Sequence, residues 1–172
     1  MDTFLSKFKG SGDALPPKAP LKAVLLAGLG GFIAIATVAS LTSSLPVLLI
    51  MGSFGASCLL LFGFPDVPLA QPRNTIGGHF LSSLVGLVVL YLLGPHWWTP
   101  AIGCGCAISL MIFTRTPHPP AAANPVIIYL ASPQPDWSFL LFPTLFGAVI
   151  LTLISVIYNN ATREGKYPKY WF

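Results

Sequence analysis

An all-α polytopic membrane protein is the fold class this sequence predicts, and three observations predict it. Of 172 residues, 54% are hydrophobic, only 8% are charged, and mean hydropathy is +0.76; an ordinary soluble domain carries about 25% charged residues. The charges collect at the ends: Asp2, Lys7, Lys9, Asp13, Lys18 and Lys22 before the first apolar run, and Arg163, Glu164, Lys166 and Lys169 after the last. Only Asp66, Arg73, Arg115 and Asp136 lie between. That interval divides into apolar runs close to the ~20 residues a helix needs to cross the hydrocarbon layer. Charge this sparse excludes a disordered chain, a nucleic-acid binder and a soluble globular domain.

Residues 1–22 are polar, basic and punctuated by Gly and Pro, which predicts a cytoplasmic arm at the membrane surface. The polar stretch is too long, and the apolar run after it too extended, for a cleaved signal peptide. A transmembrane domain over 23–158 follows. Its spans are 23–41, then 45–64 after the turn Thr42-Ser43-Ser44, then 75–93, a shorter 99–114, and 139–158. Residues 159–172 form a cytoplasmic basic tail. Two Pro-rich pieces interrupt the series: 65–74, and 116–125 with a brief apolar run over 126–131. The count is therefore five to six transmembrane helices.

Lys and Arg set the orientation. The net charge of +4 comes from the two tails, so both termini, Arg73 and Arg115 are expected on the cytoplasmic side of a cell (inner) membrane. Pro95-His96-Trp97-Trp98 and Trp137 then form an aromatic belt on the other side. Five crossings would strand the basic tail outside. A short broken crossing by 119–131, after His118-Pro119-Pro120, removes the conflict; a re-entrant hairpin is the alternative. Either places irregular backbone at membrane depth, where protein or a wet cavity must satisfy it.

At an offset of 51, Gly52 matches Gly103, Ala56 matches Ala107, Phe62 matches Phe113, Pro68 matches Pro119 and Ala70 matches Ala121. A possible internal parallel repeat follows, and transporters place their sites between repeats. Small residues recur every four positions at Gly78, Ser82 and Gly86, at Gly103 and Ala107, and at Gly52 and Ala56. Such rows bring helix backbones together, as packing or as a slim pore wall.

The Pro-rich pieces hold most of the interior polar groups. Thr116-Pro117-His118-Pro119-Pro120 cannot be α-helix, because three of its residues lack an N–H and have a fixed φ. Pro119 or Pro120 can open a helix through Ala121-Ala122-Ala123, aiming free N–H groups forward. Arg115 and His118 border that place, a combination suited to a small anion; the plainer reading is a proline-capped turn with a snorkelling Arg. Arg73, Asn74 and, one turn into the next span, His79 offer a second polar face, unless Arg73 simply pairs with Asp66. An ionisable residue inside a span, as His79 is, counts as a functional candidate. Cys58, Cys104 and Cys106 read as packing residues with no metal set around them. HExxH, GxSxG, a phosphate-binding Gly loop and paired carboxylates are all missing, so no enzyme, cofactor or metal is expected. A bis-imidazole haem between His79 and His118 has nothing else to support it.

These residues resemble the HPP family of small integral membrane proteins, named for the tripeptide that stands here as His118-Pro119-Pro120. Gly55-Ala56-Ser57, Leu61-Phe62, Pro65, the run Pro68-Leu69-Ala70-Gln71-Pro72-Arg73-Asn74, and Gly78-His79 are similar to the family's first motif region, and Thr116 through Asn124 to its second. Ala121-Ala122-Ala123-Asn124-Pro125 departs from the glycine expected there in many members. The resemblance implies transport, with nitrite as the ion of its plastid and cyanobacterial members. The expected substrate set is Arg73, Asn74, His79, Arg115, His118, Pro119, Pro120 and Asn124. The expected partners are a small anion such as nitrite, the lipid bilayer and further copies of the chain as a homo-oligomer, without nucleic acid. The alternative is a non-transporting membrane scaffold or sensor subunit that docks a partner through its cytoplasmic loops.

Overall fold

The computed structural model describes residues 4–172; residues 1–3 of the expected arm lie outside the described residues. All regular structure among the described residues is helical. A short 3-10 turn, Phe4–Lys9, precedes α1 (Leu21–Ser44). Next come α2 (Gly52–Cys58), prolonged by a π turn over Leu59–Gly63, then α3 (Pro72–Leu93) and α4 (Thr99–Phe113). A 3-10 turn at Pro119–Ala123 leads directly into α5 (Asn124–Leu130). The last element, α6 (Phe146–Thr162), is entered through a 3-10 turn and a π turn, which together give an apolar run over Trp137–Thr162. Leu21–Ser44, Pro72–Leu93 and Trp137–Thr162 are long and apolar enough to cross a membrane; Gly52–Gly63 and Thr99–Phe113 are shorter apolar helices.

Boundaries differ from the sequence expectation where side chains decide them. Thr42-Ser43-Ser44 does not break α1; Ser43 Oγ donates back to Ala39 O at 3.0 Å, within the helix. The interruption comes from Pro46, which forces Leu45 to extended backbone (φ −117°, ψ 152°). Residues 45–51 are therefore not helix, and the expected helix over 45–64 forms only from Gly52. Leu49 and Met51 of this stretch are buried, and Leu49 N–H ties it back to Thr42 Oγ1 at 2.9 Å. The third span starts earlier than expected, because Pro72 occupies its first turn, where a missing N–H costs nothing. The last helix runs on past 158 to Thr162.

Contacts along α3 show how the chain threads. Arg73 Nη2 donates to Thr114 O (3.0 Å), Asn74 Nδ2 to Pro117 O (2.9 Å), Ser82 Oγ to Ala121 O (2.6 Å), and Asn124 Nδ2 to Ser83 Oγ (2.8 Å). The ring of Trp137 then meets Tyr91, with centroids 6.2 Å apart. Both sets of numbers rise together, so residues 116–137 run alongside α3 from one end to the other. The segment after His118-Pro119-Pro120 crosses; it does not double back. α6 returns antiparallel, from Thr144 beside Ser83 (3.0 Å) to Lys169 N–H on Gln71 Oε1 (2.8 Å). Its far turn reaches the start of α1, through Tyr158 OH on Leu26 O at 2.7 Å.

Two of the passes, 45–63 and 116–131, are thus part irregular and part short helix, each packed by one face against the longer helices. The face of α3 carrying Gly78, Ser82 and Gly86 is what admits the second of them. A Cβ on Gly78 would sit 2.7 Å from His118 Cβ and 3.0 Å from Thr116 O. The small-residue row is accordingly the bed for a broken crossing. The offset of 51 also has a structural counterpart. Each copy runs helix, Pro-rich turn, 3-10 turn (Pro68–Ala70 and Pro119–Ala123), then helix.

One end of the molecule gathers the start of α1, the 65–73 loop, Arg115 and the tail. Asp66 is shared there by Arg163 and by Lys169 Nζ (2.9 Å), so the expected Asp66–Arg73 pair does not form. The Arg163 hydrogen bond, with Lys169 adding to it, lowers the Asp66 pKa below its usual value. Because the folded pKa is the depressed one, the pairing contributes fully above the unfolded pKa and fades as pH falls through the folded one, below about 4. Acidification into that range is expected to loosen the tail. Hydrogen exchange at Lys169 N–H, corrected for intrinsic rates, should rise there, and Asp66→Asn should reproduce the rise at neutral pH.

Candidate functional site

Halfway along α3 the bundle encloses a chain of polar side chains with no charged member. Ser57 of α2 stands between two imidazoles: its Oγ is 2.9 Å from His79 Nε2 of α3 and 2.9 Å from His118 Nε2 of the broken crossing. All three side chains are fully buried. The far nitrogen of His118 lies 2.8 Å from Leu69 O in the first Pro-rich loop. Asn124, at the head of α5, places Nδ2 3.2 Å from His79 Nδ1, 3.3 Å from His79 O and 2.8 Å from Ser83 Oγ. Ser83 continues to Thr144 Oγ1 (3.0 Å), on the irregular entry to α6.

Local sequence explains each placement. Three prolines around His118 keep it out of helix and in extended backbone (φ −138°, ψ 96°), so its ring reaches sideways into the bundle. Gly78 leaves the space into which it turns. Phe54, one turn before Ser57 on α2, closes over His79 edge-on, with ring centroids 5.0 Å apart.

The partners fix the proton positions. A carbonyl can only accept, so His118 carries a proton on Nδ1 for Leu69 O and presents Nε2 as an acceptor. Asn124 donates through Nδ2 to His79 Nδ1, so the His79 proton is on Nε2. The sequence of donations runs His79 Nε2–H to Ser57 Oγ, Ser57 O–H to His118 Nε2, and His118 Nδ1–H to Leu69 O. Ser57 has a second acceptor, Ser53 O at 3.1 Å. If His118 gains a proton on Nε2, the Ser57 hydroxyl rotates to Ser53 O and accepts from both rings. One added proton is thereby accommodated without moving a heavy atom. Asn124 Oδ1, Thr75 Oγ1 and Ser53 Oγ are buried without a hydrogen-bond partner, which leaves acceptor capacity in the same region.

The residues singled out from sequence separate into two groups. His79, His118 and Asn124 come together in this buried chain, with Pro120 also buried beside it. Asn74 is buried, but its amide ties the two Pro-rich loops through Pro117 O. Pro119 is exposed. The two arginines are elsewhere. Arg73 donates Nη2 to Thr114 O and Nε to Arg115 O (3.4 Å), so it caps the carbonyl end of α4. Arg115 is exposed and closes that helix in the left-handed region, φ 58°. Thr116 N–H bonds Met111 O and Arg115 N–H bonds Ile112 O, the pattern of a Schellman cap usually built on glycine. Cavities of about 600, 440, 610, 520 and 470 Å3 are lined by residues other than Ser57, His79 and His118.

Removing the Arg73 cap exposes helix-end carbonyls to a less favourable partner. Arg73→Ala is expected to cost about 1.5 kcal/mol, lowering the melting temperature of the purified protein by about 3–6 °C. Arg73→Lys should recover only part of it, since one ammonium cannot replace a planar fork spanning two carbonyls.

Ser57, Ser82, Ser83 and Thr144 went unremarked as site residues. A lone hydroxyl in an apolar run carries no sequence signal; the available hint for Ser57 was its place in the Gly55-Ala56-Ser57 motif.

Apolar helices, two broken crossings and a buried polar chain between them define a polytopic helical membrane protein. Residues 16–168 match the family described as HPP, transmembrane region, and the chain belongs to that family. It is 37% identical to one transmembrane protein of Dictyostelium discoideum, over 98% of this chain and 63% of the relative, and 34% identical to a second, over 98% and 57%. The chain thus spans about three fifths of the length of these curated relatives. No solved structure matches it.

Proposed function

We propose that this chain moves a small inorganic anion, nitrite or an ion of its size and charge, across the membrane together with a proton. The observation that carries this reading is the Ser57-bridged pair His79 and His118, held by two broken crossings inside an otherwise apolar bundle. An anion entering that region without a counter-charge faces a cost of many kcal/mol. With Arg73 committed to helix carbonyls and Arg115 exposed, the groups that can turn positive inside are the two imidazoles. Anion entry therefore calls for proton entry, and the donors then available are the imidazolium N–H groups and Asn124. Both rings are sealed in this conformation, so passage requires the broken crossings to part from α3. The Pro-rich turns that hold them are the natural hinges.

In this proposal the basic end (Lys22, Arg73, Arg115 and the tail) faces the cytoplasm, the side the positive-inside rule favours, and the membrane is a cell (inner) membrane. Self-association is part of the proposal. Gly105 of α4 faces open space, so a close-packed helix of a second copy fits there. The scaffold reading, in which the Pro-rich loops dock a partner, meets loops already strapped by the chain's own tail: Tyr167 OH bonds Ala70 O (2.7 Å) and Lys169 N–H bonds Gln71.

Purified protein in liposomes, with nitrite added outside as the probe, tests this directly. Uptake should exceed that of empty liposomes and should rise when the nitrite side is made acidic. Absence of flux under either condition returns the scaffold reading.

A further inference from the structure

Two cavities adjoin where α1 begins and α6 ends. One, of about 600 Å3, is lined by Lys22 and Leu26 of α1, by Phe62, and by Asn159, Arg163 and Glu164 around the end of α6. The other, of about 440 Å3, follows α1 past Val24, Gly28 and Gly31 against Cys58 and Leu59. Ala23 and Gly63 border both, so the divide between them is made of two of the smallest residues. The first cavity is polar and basic at its mouth; the second is apolar throughout.

Arg163 lines the first cavity and also pairs with Asp66. Its Nη2 binds Asp66, while its Nη1 is buried with no hydrogen-bond partner. A buried guanidinium N–H left without an acceptor is costly; the Arg163 side chain is 33% exposed and lines the first cavity, so a turn of its guanidinium would bring that N–H to an anion there. Asp66 also binds Lys169, so two cations share one carboxylate and the surroundings stay positive. Depth fits a lipid. α1 has 24 residues, about 36 Å of helix, which exceeds the ~30 Å hydrocarbon layer. Lys22, in its first turn, therefore sits at headgroup level. The apolar cavity leads from there toward the bilayer centre, and a Cβ on Gly28 would meet nothing within 4 Å.

We propose that the two cavities form one site for an anionic glycerophospholipid, its phosphate held by the side chains of Lys22 and Arg163 and an acyl chain laid along Gly28 and Gly31. The cationic pair supplies the charge-assisted hydrogen bonds that a phosphate needs. Glu164 lines the same cavity and opposes the anion. It weakens the site, and a net negative headgroup is favoured only because the cations outnumber it.

The test uses the full chain, delipidated in neutral detergent, with native mass spectrometry of added phosphatidylglycerol or phosphatidylcholine. Phosphatidylglycerol should be retained about tenfold better. Lys22→Gln and Arg163→Gln should each erase that preference. Should Arg163→Gln unfold the tail through loss of the Asp66 pair, Lys22→Gln still decides. Glu164→Gln should strengthen retention. Gly28→Leu should fill the apolar arm and release the lipid, yet leave untouched any melting-temperature shift caused by inorganic phosphate. Equal retention of both lipids by the wild type and the Lys22 variant overturns the proposal. So does tight binding of inorganic phosphate combined with no effect of Gly28→Leu, which would make this a site for the free ion.

Discussion

His118→Gln is expected to bring nitrite uptake down to the level of protein-free liposomes while the protein still folds. Glutamine can keep a donor toward Leu69 O and a polar group toward Ser57, so the packing against Gly78 and the hydrogen bonds of the turn survive. It cannot take up a proton. The buried chain would then have His79 alone to offset an anion, and His79 would lose the relay that reaches the Leu69 loop. Losing several kcal/mol of compensation in the interior slows passage by a factor of about a thousand or more. Ser57→Ala separates the roles further. Each ring can still be protonated, but the 2.9 Å links on either side vanish. Uptake should fall about ten- to a hundredfold and lose its response to a pH gradient. The measurements are flux with and without that gradient, beside melting temperature as a check on folding. A His118→Gln protein that transports at the wild-type rate would remove the proton-dependent reading altogether.

How much of this was legible beforehand differs by feature. Composition and charge placement gave the membrane class, the apolar runs, and the crossing of 119–131 as the answer to the positive-inside conflict. His79 and His118 stood out as ionisable groups in or beside a span. The arginines were misleading for a physical reason. A formal charge near a Pro-rich turn suggests a ligand, yet a helix C-terminus also concentrates negative partial charge. Whether Arg73 faces an anion or the end of α4 depends on how the 65–74 loop registers against Thr114, more than forty residues away, and local pattern holds no register across that distance. Ser57 was hidden for the opposite reason. A neutral hydroxyl acquires meaning only from the two rings the fold brings to it. The gap at 45–51 was readable, since Pro46 stands in plain view, but an unbroken run of Leu, Val and Ile outweighed it.

The second large effect concerns the bed on which the broken crossing lies. Gly86→Leu is expected to destabilise the bundle by about 3 kcal/mol, the upper range for overpacking, and to lower the melting temperature by about 6–12 °C. A Cβ on Gly86 would lie 2.9 Å from Pro125 Cα and 2.9 Å from Ile128 Cδ1. The first of these is backbone and cannot rotate away. Retreat is blocked as well, because Pro125 also presses on α4, where a Cβ on Gly103 would sit 2.9 Å from Pro125 Cβ. The head of α5 is thus gripped between two glycines, and a side chain on either pushes it out. Asn124 is the residue before Pro125, so the same displacement pulls its amide off His79 and Ser83. Transport should fail together with stability. Gly105→Leu, on α4 but facing open space, is the matched control: the same added bulk should leave the monomer's melting temperature within about 1 °C. Equal melting curves for Gly86→Leu and Gly105→Leu would mean that the crossing does not pass between α3 and α4 at this depth, and that the polar chain anchored by Asn124 is not assembled as described.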